Sequence, residues 1–219
     1  MLNFFKNKTS QLPDFWNRYA KSFENKISEQ IDNLTFVVLD TETTGFDFSK
    51  DRILCIGAIK LKNQQIEIKN GFEVYVKQDV YSNETAKIHG ILKNDPEALV
   101  SELEALEQFL NYIENNILIA HHANFDLTMI NNALLRHNLP ALKNKYLDTS
   151  DLFKKTLIQS NLLNKKAHYS LDEIADKYAI SKKDRHTAMG DAYITAIIFL
   201  KILFKLREKK AVTLKQLFK

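Results

Sequence analysis

Apolar residues in this chain occur either as short unbroken runs or at helical spacing, and the two patterns alternate along the sequence. Five of the runs predict β-strands. They cover residues 35–40, 52–62, 65–76, 117–120 and 146–147. Only Asn63 and Gln64 separate the second run from the third, which predicts a tight antiparallel hairpin.

Helical spacing fills the segments between these runs. Residues 97–115 predict one helix, and Leu127, Ile130 and Leu134 lie on one face of a second. The most periodic helix starts near Ala192. Helices interleaved with strands predict an α/β fold in which a mixed five-stranded sheet has helices on both faces.

The chain also extends beyond this alternating region at both ends. Pro13 suits a helix start, and an apolar stripe of Trp16, Tyr19 and Phe23 follows it, most simply to dock on the same domain. We expect a helical extension over residues 1–33, a main domain over 34–208 and a basic tail over 209–219. Residues 158–168 are polar and basic, which predicts a loop beside the functional site.

Two carboxylates stand at the end of the first predicted strand. Asp40 and Glu42 are two positions apart, and in an extended chain such residues point to the same side. Like charges brought together are costly unless a cation neutralises them, and carboxylate oxygens suit hard ions such as Mg²⁺ or Mn²⁺. A pair of solvated turn residues is the competing interpretation.

A third acid follows the strand predicted over residues 117–120. Asp126 falls in the first turn of the next helix. A carboxylate there complements the helix dipole, so its position alone is compatible with a structural or a metal-binding role.

His186 and Asp191 stand at the start of the most periodic helix. Side chains five positions apart on a regular helix diverge by about 140°. Both can therefore reach one site only if His186 precedes the helix, with Thr187 as its N-cap. Gly190 would permit a close approach of a neighbouring strand or a metal. A surface histidine beside a solvated acid is the alternative.

Taken in order, the motifs Asp40-x-Glu42, Asn124-Phe125-Asp126 and His186-x4-Asp191 resemble those of the DEDD 3′–5′ exonucleases of the His variant. The epsilon proofreading subunit of bacterial DNA polymerase III belongs to that family. The resemblance extends over residues 36–204, and four further segments look like elements of the family. These are residues 51–58, 88–91, 147–149 and 170–175. His122 departs from the family pattern, which often has Asn at this position.

The resemblance implies a ribonuclease H-like fold and hydrolysis of phosphodiester bonds at the 3′ end of DNA, releasing nucleoside monophosphates. Two divalent ions, Mg²⁺ or Mn²⁺, would activate water and stabilise the leaving oxygen. The implied metal ligands are Asp40, Glu42, Asp126 and Asp191. His186 would be the general base. The implied contacts to the terminal nucleotide are Thr43, Thr44, His89 and Ile91.

The amino-acid composition excludes few classes of function. The chain has 219 residues, 45% of them hydrophobic, which is enough for one substantial core. A net charge of +4 permits binding to polyanions without requiring it. A single cysteine excludes an intrachain disulfide. We find no signal peptide or membrane-spanning run and expect a cytoplasmic protein.

Two classes of function remain open at this point. The first is an active exonuclease on single-stranded or frayed 3′ ends of DNA, with RNA as the second substrate. The second is a nucleic-acid-binding module without catalysis, against which the complete set of acids argues. Proofreading would require a polymerase partner. The ending Gln216-Leu217-Phe218 resembles part of a sliding-clamp peptide, but a packed C-terminal element is the preferred interpretation.

Overall fold

The computed structural model describes residues 12–28, 30–79, 99–157, 166–208 and 211–218. Six strands form one mixed sheet: β1 Thr35–Thr43, β2 Ile53–Lys62, β3 Gln65–Ile66, β4 Phe72–Tyr75, β5 Ile117–Ala120 and β6 Tyr146–Asp148. The α-helices in these ranges are α1 Asp14–Ser22, α2 Glu102–Ile113, α3 Asn124–Arg136, α4 Thr149–Thr156, α5 Leu171–Lys177, α6 Ala188–Arg207 and α7 Leu214–Leu217. The predicted α/β class is confirmed.

β1 lies in the middle of the sheet. It pairs antiparallel with β2 and parallel with β5, and β5 pairs parallel with β6. The carboxyl ends of β1, β5 and β6 therefore meet at one edge of the sheet, and the residues that follow these strands are brought close together.

The predicted third strand, residues 65–76, is wrong as a single element and accounts for the difference between five strands and six. A 3₁₀ turn at Ile68–Asn70 divides it into β3 and β4, which pair with different parts of β2. The hairpin before it is confirmed. Asn63 and Gln64 have φ values of 51° and 61°, and positive φ at both central residues is typical of a type I′ turn.

Alternation along β1 divides the core into two layers. Val37 and Leu39 pack on one face of the sheet, against α2 and α3. Phe36 and Val38 pack on the other, against α4, α5 and α6. The predicted arrangement of helices on both faces is therefore confirmed.

The stripe on α1 packs against the first of these layers. Trp16 and Tyr19 are buried in it and Phe23 lies against it. The Tyr19 hydroxyl donates to Oδ1 of Asn144 at 2.6 Å and accepts from the backbone N–H of Lys143 at 2.7 Å. The boundaries proposed at residues 33 and 208 stay a prediction.

α6 packs closely against the sheet because β2 has a glycine where the two elements meet. A Cβ atom on Gly57 in β2 would lie 2.3 Å from the carbonyl carbon of Ala188 and 2.4 Å from the backbone nitrogen of Met189. Gly57 is also the partner of Asp40 in the β1–β2 register. The missing side chain therefore allows the first turn of α6 to lie directly beside Asp40.

Among the described residues, no helix is long and apolar enough to cross a membrane.

Candidate metal centre

The end of β1 carries the predicted acidic pair. Asp40 and Glu42 face Gly57 and Cys55 across the β1–β2 ladder, and the register shifts between Glu42 and Thr43. Both side chains are partly exposed, whereas Thr41 between them is buried. The alternation of the strand therefore turns both carboxylates toward the same edge, as predicted.

Asp191 reaches this pair from the first turn of α6. Thr187 is the N-cap, and its hydroxyl accepts from the N–H of Gly190 at 3.1 Å. Asp40, Glu42 and Asp191 each offer an oxygen within 4.8 Å of the others. Three of the four predicted acids therefore converge on one point.

Asp126, the fourth predicted acid, lies beside this group rather than within it. Its side chain is 3% exposed, and Oδ1 accepts from the backbone N–H of Thr41 at 2.9 Å and from the Thr41 hydroxyl at 2.7 Å. Thr41 lies between Asp40 and Glu42 in the chain, so these bonds fix α3 against the end of β1.

Burial and neighbouring acids raise the pKa values of Asp40 and Glu42, and burial raises that of Asp126. Burial raises the pKa of Glu42 to about 7, and the charges of Asp191 and Asp126 add to the effect. The pKa of Asp126 is also about 7, chiefly because of burial. Burial followed by the charges of Asp126, Asp191 and Glu42 raises the pKa of Asp40 well above its usual range. Four carboxylates this close call for a compensating positive charge.

Arg185 supplies part of that charge, and the sequence analysis assigned it no role. Its guanidinium donates to Oδ2 of Asp191 and, at 2.8 Å, to Oδ1 of Asp172 on α5. The side chains of Arg185 and Asp191 are 16% and 9% exposed. Arg185 therefore links α5 to the acidic group and lowers the pKa of both Asp40 and Glu42.

His186 precedes α6, as the spacing to Asp191 predicted. Its φ of 65° is in the left-handed region, its side chain is exposed, and its backbone N–H lies 3.4 Å from Oδ2 of Asp191. Gly190 does allow a close approach, but of a different group than expected. A Cβ atom there would lie 1.8 Å from the carbonyl oxygen of Asp184, so it is the preceding loop that comes close.

A second set of polar residues supports the turn between β5 and α3. The Asp148 carboxylate accepts from the N–H groups of His122, Ala123 and Ser150 at 3.2, 2.9 and 2.8 Å. Nδ1 of His121 lies 2.9 Å from the Thr149 hydroxyl. Burial lowers the pKa of His121 to about 3, so its ring is neutral. These contacts hold the turn that presents Asp126.

The predicted nucleotide contacts have mixed outcomes. The Thr43 hydroxyl donates to the carbonyl of Gly45 at 2.8 Å, and the Thr44 hydroxyl donates to Oδ1 of Asp51 at 2.7 Å. Both hydroxyls thus stabilise the turn after β1, and a role in substrate binding stays a prediction. His89 and Ile91 lie outside the described residues.

An aromatic cluster borders the acids. Phe125 precedes Asp126, and its ring centroid lies 5.7 Å from that of Phe46 and 5.6 Å from that of Phe48. Phe46 is 77% exposed. Neither Phe46 nor Phe48 was predicted to be a site residue. Two aromatic residues in a polar turn directly after the acidic pair could have indicated such a role.

The residues at this edge fit a divalent cation. Oδ1 of Asp191 is buried and has no hydrogen-bond partner among the described residues. An all-carboxylate donor set suits Mg²⁺ or Mn²⁺ better than softer metals. The geometry therefore favours a metal centre over a cluster of solvated acids.

Sequence comparison links this centre to exonucleases. A family model described as Exonuclease (RNase_T) matches residues 37–199. The DNA polymerase III subunit epsilon of Aquifex aeolicus is 32% identical over 178 residues, which cover 80% of this chain and 85% of that protein. The PolC-type DNA polymerase III of Thermotoga petrophila is 34% identical over 185 residues, 84% of this chain. The match spans only 12% of that polymerase.

Solved structures show the same fold. Exonuclease I of E. coli in complex with a dT13 oligonucleotide has a TM-score of 0.68 at 16% identity, covering 81% of this chain and 42% of that one. Exonuclease X in complex with 5′ overhanging duplex DNA has a TM-score of 0.62 at 20% identity, covering 83% and 96%. The ribonuclease H-like architecture implied by the sequence is confirmed.

Proposed function

This chain belongs to the exonuclease family that includes the epsilon subunit of DNA polymerase III, and we propose that it is a metal-dependent 3′–5′ exonuclease acting on DNA. The observation that carries the proposal is the convergence of Asp40, Glu42 and Asp191 within 4.8 Å, with Asp126 buried beside them. The reaction is hydrolysis of the terminal phosphodiester bond, and its product is a nucleoside monophosphate.

The four acids are proposed to hold two divalent ions, Mg²⁺ or Mn²⁺. When bound, such ions supply charge for activating water and stabilising the leaving oxygen. Asp40 and Glu42 come from β1 and Asp191 from α6, so an ion held by all three would link the strand to the helix. Oδ1 of Asp191, which has no hydrogen-bond partner among the described residues, would be available to a cation while Arg185 contacts Oδ2, so both would neutralise the same carboxylate.

His186 is proposed as the general base. It precedes α6, and its exposed ring can accept a proton from the attacking water and pass it to solvent. Its neighbours Arg185 and Thr187 are tied to Asp191 and Gly190, respectively, so the segment that carries the imidazole is held in place. The left-handed backbone at His186 turns the chain immediately before the helix.

The substrate is proposed to be the 3′ end of single-stranded or frayed DNA. Exposed Phe46 and Phe48, with Phe125, offer ring faces for terminal bases beside the acids, and stacking of this kind is tolerant of sequence. Thr43, Thr44, His89 and Ile91 are proposed as further contacts. The relatives named above are DNA polymerases or polymerase subunits, and we propose that this chain acts together with a polymerase.

One experiment tests the proposal. DNA and RNA oligomers labelled at the 5′ or the 3′ end are incubated with the chain and Mg²⁺ or Mn²⁺. The 5′-labelled DNA is expected to shorten stepwise, and the 3′ label to appear at once in a mononucleotide. Asp191→Asn should lower the rate by about 10³-fold, equivalent to ~4 kcal/mol of transition-state stabilisation.

The control variant in that experiment is Asp32→Asn, at an exposed acid that precedes β1 and pairs with Arg207 at the far end of α6. Internal cleavage, or equal rates in Asp191→Asn and the wild type, would contradict the proposal. Faster degradation of RNA than of DNA would show that RNA, the second substrate considered, is the preferred one.

A further inference from the structure

A groove lies at the opposite end of the sheet from the acids. It has a volume of about 1100 Å³ and is lined by residues from three parts of the chain. These are residues 23 and 25–28 after α1, residues 115, 117 and 145 near the start of β5 and β6, and residues 213–215 and 218 around α7. Ile117 in its wall is the first residue of β5, roughly 13 Å along the strand from the edge that carries the metal centre.

The groove is apolar inside and basic at its border. Phe23, Ile27, Ile117, Leu214 and Phe218 contribute apolar surface, and Ile27 and Phe218 are 37% and 39% exposed. Three lysines also line the groove, Lys26, Lys145 and Lys215, and the other lining residues are uncharged and polar: Asn25, Ser28, Asn115 and Thr213. No Asp or Glu lines the groove in the part of the chain that the structure describes.

Hydrogen bonds within the chain fix the C-terminal segment that forms one wall of the groove. Lys155 donates to the backbone carbonyl of Leu217 at 2.9 Å, and Leu217 is buried. The backbone N–H of Thr213 donates to Oε1 of Gln216 at 3.0 Å and so fixes the start of α7. The segments 23–28 and 213–218 both lie outside residues 37–199, which match the exonuclease family. Both segments are therefore additions to the part of the chain that matches the family model.

We propose that this groove binds a segment of a protein partner that combines acidic with large apolar side chains. Its volume of about 1100 Å³ is close to the upper limit of the roughly 300–1000 Å³ of ordinary small-ligand pockets, so the choice of occupant depends on the lining. Large apolar side chains would fill the interior, and carboxylates would pair with the lysines at the border, where charge complementarity selects the partner. The inference goes beyond the proposed nuclease reaction and does not depend on it.

Two other occupants fit the observations less well. The phosphates of a nucleic-acid strand could pair with the lysines, but stacking of its bases is hindered, because Lys145 lies over the ring of Phe218 at 5.7 Å and Lys143 over that of Phe23 at 5.0 Å. The aliphatic surface of Ile27, Ile117 and Leu214 also offers nothing to a sugar–phosphate backbone. A second copy of this chain, with its net charge of +4, would add to the positive charge.

Fluorescence anisotropy with short labelled peptides tests the proposal. One peptide mixes Glu and Asp with Leu and Phe, a second has Lys in place of each acid, and a third has the acids without the apolar residues. The full chain is used in EDTA, so that binding is measured independently of nuclease activity. The first peptide is expected to bind at least about tenfold more tightly than the other two.

Variants locate the binding. Lys145→Glu combined with Lys215→Glu should weaken binding of the first peptide about tenfold or more, because attraction becomes repulsion. Phe218→Ala should weaken it through lost apolar contact. Lys69→Glu, at an exposed lysine on the 3₁₀ turn away from the groove, should bind as the wild type does. Circular dichroism verifies that each variant is folded, and DNA degradation in Mg²⁺ should be unchanged.

Three outcomes would overturn the proposal. The first is equal affinity for all three peptides. The second is unchanged binding in the lysine and Phe218 variants. The third is that the acidic–apolar peptide does not bind, while the lysine substitutions weaken binding of a thymidine oligonucleotide or abolish a dimer detected by sedimentation. In that case the occupant is nucleic acid or a second copy.

Discussion

For single residues, the raised pKa values of Glu42 and Asp126 make the stability of the metal-free protein depend on pH. The pKa values of Glu42 and Asp126 are about 7, against roughly 4 in an unfolded chain. Between these values the folded protein binds protons that the unfolded chain has released. The stability contributed by these groups is therefore present below about pH 4 and is lost as the pH rises through 7.

The corresponding prediction concerns the melting temperature in EDTA between pH 5 and pH 8. The wild type should lose stability over this interval more steeply than Glu42→Gln, in which one of the titrating groups is absent. Saturating Mg²⁺ should reduce the difference, because the cation neutralises the same carboxylates. Parallel curves for the two proteins would show that the acids are not coupled as described.

A second prediction at this scale concerns Arg185. Arg185→Ala leaves the nearly buried Asp191 without its cationic partner, so the metal-free protein should lose about 3 kcal/mol of unfolding free energy. Saturating Mn²⁺ should restore much of this loss, since the cation and Arg185 neutralise the same group. Urea denaturation with and without metal measures both values.

Asp172→Asn is the matched control for Arg185. It removes the other partner of the same guanidinium, but Asp172 is 46% exposed. Its loss should be below about 1 kcal/mol and little affected by metal. An Arg185→Ala defect of equal size with and without Mn²⁺ would show that the cation does not neutralise the carboxylate that Arg185 contacts.

Individual residues also show which parts of the site could be predicted from the sequence. Asp40 and Glu42 were predictable because strand periodicity fixes their direction, and His186 because helix periodicity forces it outside α6. The pairing of Arg185 with Asp172 was not, since it depends on how α5 is seated against α6. The aromatic cluster was missed because Phe46 and Phe125, far apart in the chain, become neighbours only through tertiary packing.

At the scale of elements, the site depends on the seating of α6 on β2. Gly57→Ala introduces a methyl group 2.3 Å from the backbone of Ala188. The first turn of α6 must then move away from β1, at a cost of about 1–3 kcal/mol, and Asp191 moves with it. We expect lower stability in urea and weaker Mn²⁺ binding in the same variant.

Gly71→Ala provides the comparison for that experiment. Its Cβ would approach the terminal methyl of Met189 at 3.1 Å, a flexible group that can shift. This variant should retain Mn²⁺ affinity with a smaller loss of stability. If Gly57→Ala binds Mn²⁺ as the wild type does, the close packing of α6 is not what positions Asp191.

The type and order of most elements could be predicted, because apolar runs and stripes differ clearly in period. The edge strand was the exception. Residues 65–76 have a strand-like composition, yet a 3₁₀ turn at Ile68–Asn70 interrupts them before Gly71. An edge strand has a partner on one side only, so local turn preferences can override its pattern there.

At the scale of the whole molecule, the two ends of the sheet have different chemistry. One end gathers carboxylates and exposed aromatic rings, and the other gathers lysines around an apolar groove. The first arrangement could be inferred from motifs. The second could not, because it is assembled from both ends of the chain and carries no motif of its own.

Acids from β1, α3 and α6 are proposed to form one divalent-cation site. Calorimetric titration with Mn²⁺ measures the ions bound at that site. The wild type and Asp32→Asn should each bind about two ions per chain, whereas Asp40→Asn should lose most of the binding while remaining folded. Saturable binding that is the same in Asp40→Asn as in the wild type, or no binding to any of the three proteins, would contradict the proposed site.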